Sequence, residues 1–229
     1  MACGLIALST VSHAQSETEI YNSYDAAGGL ENLNLNGRAY PNPYKIRKGN
    51  DQFYKTDQYL VGSVVYSNQP YYNVDLRYDI YHDILIYRPK NISNNIGTIL
   101  EKEFVSGFTL DGRDFVNLSS LEKKPDFVTG YYEKCAVGQG FTLYAKHHKF
   151  IRQRNNDNVI VDEFNEDPGF LIEKDGVFTK TDSRGDFAKL FPDQKERIKD
   201  FYQSQKDLSK KDPISFMTKL FRHITNAKN

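Results

Sequence analysis

The chain is expected to fold as a mainly β (α+β) domain of antiparallel β-sheets. A sandwich or a partly open barrel, with two or three C-terminal α-helices, would satisfy the pattern. Three observations carry this expectation. Tyr72, Val74, Leu76, Tyr78 and Ile80 alternate with Asn73, Asp75, Arg77 and Asp79, and a period of two buries one face of a strand. Asp111-Gly112 and Asp175-Gly176 each separate two apolar runs, and such pairs suit the positive φ of a two-residue hairpin turn. After Asp212-Pro213, the residues Ile214, Met217, Leu220, Phe221 and Ile224 recur at helical spacing, which marks one buried helix face.

Composition narrows the function classes. The 229 residues include 39% hydrophobic and 14% aromatic side chains, with 16 Tyr, 15 Phe and no Trp. That is enough apolar material for a packed core rather than a disordered chain. Lys and Arg number 30, as do Asp and Glu, so a nucleic-acid partner, which calls for a basic excess, is not expected. No apolar run reaches the length of a transmembrane helix, so none is expected in the mature chain. Residues 183–229 hold 11 basic and 6 acidic side chains. The basic and acidic residues are interspersed there, which reads as a solvated helix face more readily than as a polyanion-binding tail.

The first 14 residues resemble a secretory signal. Ala2 to Val11 are apolar or small, and Ser12-His13-Ala14 has the small-x-small form of a cleavage site. No Lys or Arg precedes the stretch, so the true start of the signal is open; a short buried N-terminal element is the alternative. Residues 15–229 then form a single β-rich domain, with sheet over 60–180 and helices over 183–229. Only Cys135 remains after cleavage at Ala14, which precludes an intramolecular disulfide and suggests a small buried hydrophobe on a strand.

The elements follow in order. Residues 15–58 are polar, with Gly28-Gly29 and Pro41-Asn42-Pro43 as loops, and are expected to lie extended against the body. A strand covers 60–66, a turn 67–70, and the alternating strand 72–80. His82-Asp83 breaks that run, and residues 84–87 form a strand ending before Pro89. The Asp111-Gly112 hairpin sets Phe108 opposite Phe115, a favourable aromatic pair. Further strands are expected at 99–105, 130–136, 141–145 and 159–164, with the second Asp-Gly hairpin at 171–179. Ser183 caps a first helix, Asp193 caps a second with Glu196 three residues on, and Asp212-Pro213 opens the last.

Familiar enzyme fingerprints are missing: there is no G-x-S-x-G, G-x-x-x-x-G-K-[ST], G-x-G-x-x-G or H-E-x-x-H. Beyond the leader the histidines are His82, His147, His148 and His223. As strand neighbours His147 and His148 would point to opposite faces, so no metal site is expected. Asp75 and Asp79 on one strand face would stand roughly 13 Å apart, too far for a glycosidase pair at roughly 5–10 Å. Asp79, His82 and Asp83 around one turn form the only polar cluster that could be nominated for catalysis. The acidic stretch 162–167 lacks calcium-loop spacing and reads as a loop. Asn91-Ile92-Ser93 and Asn117-Leu118-Ser119 match the glycosylation pattern. Ten tyrosines fall between Tyr40 and Tyr87; a sugar-stacking face and core packing are both open readings.

One stretch resembles a family pattern. Gly62-Ser63-Val64-Val65-Tyr66, Gln69-Pro70-Tyr71-Tyr72-Asn73-Val74, Leu76-Arg77-Tyr78-Asp79 and Asp83-Ile84-Leu85-Ile86 run in order. They precede the hairpin from Phe108 to Val116 and a closing segment made of Leu171 to Phe178 and Leu190 to Phe201. Together these are similar to a family of exported proteins of Bacteroidota-type bacteria with no known activity. The likeness covers most of 60–202 and departs at Ser67-Asn68, where the family usually has Asn-Gly. It implies export and a bacterial envelope setting, periplasmic or surface-associated, and brings no catalytic residue, cofactor or named partner. The leading expectation is a non-catalytic envelope protein that binds a ligand or partner. A hydrolase of an envelope polymer and a lipid carrier with an open apolar barrel are the alternatives.

Overall fold

A computed structural model describes residues 37–44, 49–89, 97–156 and 159–226. The signal-like leader, residues 15–36 and the triplet Asn91-Ile92-Ser93 lie outside the described residues.

The body is one open antiparallel sheet of eleven strands. Its strands are β1 (Arg38–Ala39), β2 (Leu60–Tyr66), β3 (Gln69–Asp79), β4 (Ile84–Arg88), β5 (Thr98–Leu100), β6 (Val105–Leu110), β7 (Arg113–Asn117), β8 (Tyr131–Gly138), β9 (Phe141–Lys146), β12 (Gly169–Lys174) and β13 (Val177–Lys180). The order across the sheet is β1-β5-β4-β3-β2-β6-β7-β8-β9-β12-β13. Strands β10 (Lys149–Asn156) and β11 (Val159–Glu166) form a separate hairpin. Four helices end the described chain: α1 (Arg184–Leu190), α2 (Lys195–Ser204), α3 (Lys206–Lys211) and α4 (Pro213–Thr225). None of them is long and apolar enough to cross a membrane.

The sheet is rolled, and ring contacts show it. β3 and β8 are four strand positions apart, about 19 Å on a flat sheet at ~4.8 Å per strand. Yet Tyr78 of β3 and Tyr131 of β8 have ring centroids 5.8 Å apart. The strands between them must curl until their inner faces meet. Tyr66, Tyr71, Tyr78, Phe108, Phe115 and Tyr131 fill that curl. Phe108 and Phe115 are cross-strand partners, as the hairpin turn demands, and stack at 4.6 Å. Each such aromatic pair adds about 0.5–1.5 kcal/mol beyond its area burial. The tyrosine-rich stretch therefore supplies core: Tyr54, Tyr66, Tyr71, Tyr78 and Tyr87 are all buried.

The other half of the inner face is covered by helix. Cys135, Leu143, Ala145, Phe170 and Ile172 of the sheet meet Phe187, Ile198, Phe216, Leu220, Phe221 and Ile224. α4 approaches closely: a Cβ on Gly138 of β8 would stand 2.5 Å from the Thr225 hydroxyl. Asp212 caps α4 by accepting from the Ser215 amide, and Pro213 sits in its first turn, as expected from Asp-Pro.

Several expectations are corrected. Tyr72 does not continue the alternating face. Asn73 adopts φ 53° and inserts one extra residue, since Val74 pairs with Gly62 but Tyr71 pairs with Val64. Such a bulge flips the face, so Tyr71 is buried in its place. The turn is Ser67-Asn68 alone, both at positive φ, and Gln69-Pro70 already belong to β3. The segment 99–105 is not one strand: β5 ends at Leu100 and a 3₁₀ turn, Lys102–Phe104, intervenes. The acidic stretch 162–167 is largely strand β11 rather than loop. Asp193 does not cap: Pro192 opens a 3₁₀ turn one residue earlier, and α2 starts after Gln194 with no side-chain cap bond. There are four helices among the described residues, not two or three. The extra one, α3, buries no residue and so has no apolar stripe to betray it.

Candidate functional site

The nominated turn cluster has a structural explanation. Asp79 is fully buried at the end of β3. Its Oδ1 accepts from the amides of Tyr81 and His82, and its Oδ2 accepts from the Tyr40 hydroxyl at 2.7 Å. His82 Nδ1 lies 2.8 Å from the same oxygen, and Tyr44 hydrogen-bonds the far nitrogen of that ring. Asp83 points elsewhere. It accepts from the Tyr78 hydroxyl at 2.6 Å and pairs with Lys102 and Lys146, each at 2.8 Å. A Cβ on Gly130 would meet Asp83 at 1.6 Å, so that position admits no side chain. The two carboxylates thus have separate partner sets. Asp79 closes the turn, and Asp83 ties the end of β3 to β8 and β9 across the curl.

Of the paired charges on β3, Asp75 is held by Arg88 of β4 through both Nε and Nη2. Arg77 lies 4.1 Å from the Phe53 ring centroid and 4.5 Å from that of Tyr59. Asn117 is buried, and its amide nitrogen donates to the carbonyls of Lys102 and Val105 at 2.8 Å each. That nitrogen is committed to the fold and is not presented to a glycosylating enzyme. Cys135 is buried on β8, and burial pushes its thiol up to about 12.

A second cluster was not foreseen. Pairing across the sheet aligns Tyr71, Val64, Phe108, Phe115, Glu133, Ala145 and Phe170 in one row over seven strands. All seven are buried, and Glu133 is the one polar member. It stands where the aromatic half of the inner face meets the helical half. A carboxylate there requires partners, because an unpaired buried charge is very costly. Two supply them. His147, just past β9, places Nε2 2.7 Å from Oε2, and Arg113, the first residue of β7, donates Nη1 to Oε1 at 3.0 Å. Burial alone would raise the Glu133 pKa. The His147 and Arg113 contacts outweigh it and hold the carboxyl below its usual range.

Around this triad lies a cavity of about 280 Å³, lined among others by Tyr54, Arg113, Glu133, His147, Glu166 and Lys211. Its far wall is the start of α4, from Asp212 to Ser215. The volume is close to the lower end of small-molecule sites, which run from about 300 Å³. Tyr54 enters from the segment before β2, where its amide donates to the Tyr78 carbonyl at 2.8 Å. Its ring meets His147 edge-on at 4.7 Å. Its hydroxyl is buried and has no hydrogen-bond partner among the described residues. Burial, and next the Glu133 charge, push that phenol well above its ordinary value, so it remains a protonated donor.

One sequence signal pointed here. Tyr131, Glu133 and Cys135 share a face of the predicted strand at 130–136, and the flanking residues mark that face as buried. His147 is one of the two neighbouring histidines considered for metal. Neither is in a strand: they occupy the link between β9 and β10. Among the described residues no group of three His, Cys, Asp or Glu side chains is placed to hold a metal ion. Comparisons with protein-family models, with curated proteins and with solved structures return no match for this chain.

Proposed function

We propose that this is an exported, non-catalytic envelope protein that binds a small polar ligand in the cavity between Tyr54, Arg113, His147 and the start of α4. The observation that carries the reading is the Arg113–Glu133–His147 triad. A buried, paired carboxylate usually contributes little net stability over apolar packing, so the place of Glu133 in an otherwise apolar row, beside a cavity and bonded to His147 and the half-exposed Arg113, asks for a functional reason. The leader-like first 14 residues and the family resemblance support export.

The two alternatives draw less support. A hydrolase built on Asp79, His82 and Asp83 would need a free acid or base, and the oxygens of Asp79 are taken by four donors. A lipid carrier would need an apolar groove, and the curled half of the inner face is filled by Tyr78, Phe108, Phe115 and Tyr131.

The test has two parts. The full chain is expressed in a Bacteroidota-type cell, and the envelope and cytoplasmic fractions are probed for it. Protein from the envelope is then examined by native mass spectrometry. The expected result is a shortened chain in the envelope fraction that carries a small non-protein mass. A cytoplasmic full-length chain, or an envelope chain with no bound mass, contradicts the proposal.

A further inference from the structure

We infer that the cavity takes a small ligand through an oxyanion group, a carboxylate or a phosphate, docked on Arg113. This rests on the ligand-binding reading above and adds the chemical class to it.

The argument is a count of spent and unspent groups. The acidic oxygens on the inner and helical walls are already occupied. Glu133 takes Arg113 on one oxygen and His147 on the other. Asp212 takes the Ser215 amide on Oδ1 and the Ser215 hydroxyl on Oδ2, at 2.9 and 2.6 Å. Neither has an oxygen free of a protein donor to offer a cationic ligand. Glu166, on the rim, is the exception, and it is exposed.

The donors are the reverse. Among the described residues Arg113 spends only Nη1, on Glu133. The Nε and Nη2 hydrogens on the opposite edge of the guanidinium remain. That edge is a parallel fork matched to two oxygens of a carboxylate or phosphate. Arg88 turns the same pair of nitrogens on one oxygen, Oδ2, of Asp75 in this chain. The Arg113 side chain is 47% exposed, so its outer edge is reachable, while the buried Glu133 restrains the inner one. Lys211, at the end of α3, lines the same cavity and has no ion-pair partner among the described residues. The Tyr54 hydroxyl is a further unspent donor in the wall. Its oxygen is sealed from solvent, so the primary docking group is Arg113.

Size selects within the class. A cavity of about 280 Å³ stands at the lower end of small-molecule sites, which run from about 300 Å³. That suits a small organic acid or a small phosphate.

The test uses three probes on the folded chain by isothermal titration calorimetry: succinate, inorganic phosphate, and glucose as an uncharged probe. Binding of succinate or phosphate but not glucose is expected, and which of the two binds more tightly identifies the source of the oxyanion. Two variants locate the site. Arg113→Lys keeps the charge beside Glu133 and loses the fork, and a loss of roughly tenfold or more in affinity is expected. Arg113→Gln combined with Glu133→Gln removes both charges together, so no charge is stranded, and anion binding is expected to vanish. Circular dichroism melts confirm that both variants fold. Glucose binding alone would overturn the oxyanion assignment while leaving a ligand-binding cavity in place. Anion binding that Arg113→Lys leaves unchanged would also overturn it, as would no binding of either anion at 10 mM (roughly ten times a Kd of ~1 mM).

Discussion

Replacing Tyr54 with Phe should make the protein more stable. The Tyr54 hydroxyl is buried without a partner among the described residues, and a buried polar group left unsatisfied costs about 1–3 kcal/mol. The ring itself earns its place: it packs edge-on against Phe115 at 5.4 Å and His147 at 4.7 Å. Phe keeps those contacts and removes only the oxygen. The gap left behind is smaller than a methyl group, so its cost is a fraction of the gain. The expected net change is a stabilisation of about 1 kcal/mol, or about 2–4 °C in Tm for a domain of this length. Urea denaturation of wild type and Tyr54→Phe, with matched slopes, measures it. A destabilisation of 1 kcal/mol or more would refute the reasoning, because it would mean that the hydroxyl has a partner in the folded protein.

Three further outcomes follow from the same geometry. The Glu133 carboxyl is held below its ordinary pKa in the folded state, so its contacts stabilise the fold above the ordinary value of about 4.3. That contribution fades as pH falls through the lower folded value. Urea midpoints between about pH 6 and pH 3 should therefore fall more steeply for wild type than for Glu133→Gln, and parallel curves would contradict this. Asp79→Ala leaves two backbone amides and the Tyr40 hydroxyl without their acceptor. It should cost about 3 kcal/mol or more, read by the same denaturation series; a loss under about 1 kcal/mol would remove the structural role assigned to that turn. The Cys135 thiol, pushed up to about 12 by burial, should resist a thiol reagent at pH 8 until denaturant is added, and rapid labelling of the folded protein would show that β8 opens readily.

The parts of the fold that the sequence revealed are those governed by local rules. The Asp-Gly hairpins, the strand pairing of Phe108 with Phe115 and the Asp212 cap depend on neighbouring residues, and each took the expected form. What stayed hidden depends on distant contacts. The curl of the sheet is set by rings four strands apart, such as Tyr78 and Tyr131. Of the β10–β11 hairpin, β11 matches the strand expected at 159–164, whereas β10 exposes Arg152, Gln153 and Arg154 on consecutive positions, so no alternation marks it. The bulge at Asn73 shifts the buried face from Tyr72 to Tyr71 for want of one residue on β2. The candidate site was hidden for the same reason. Arg113 lies 20 residues before Glu133, and His147 lies 14 after it; the register of β7, β8 and β9 brings them to one point. The turn around Asp79, by contrast, is compact in sequence and attracted attention, yet its donors and acceptors close on one another.

The side-chain Nε–H resonance of Arg113, assigned by its loss in Arg113→Lys, gives the most direct test of the cavity assignment. Proton–nitrogen NMR spectra recorded while succinate or phosphate is added should show that resonance moving with a saturable dependence on the anion. If it stays fixed while either anion binds the protein, the ligand lies elsewhere and the Arg113 cavity is not the site.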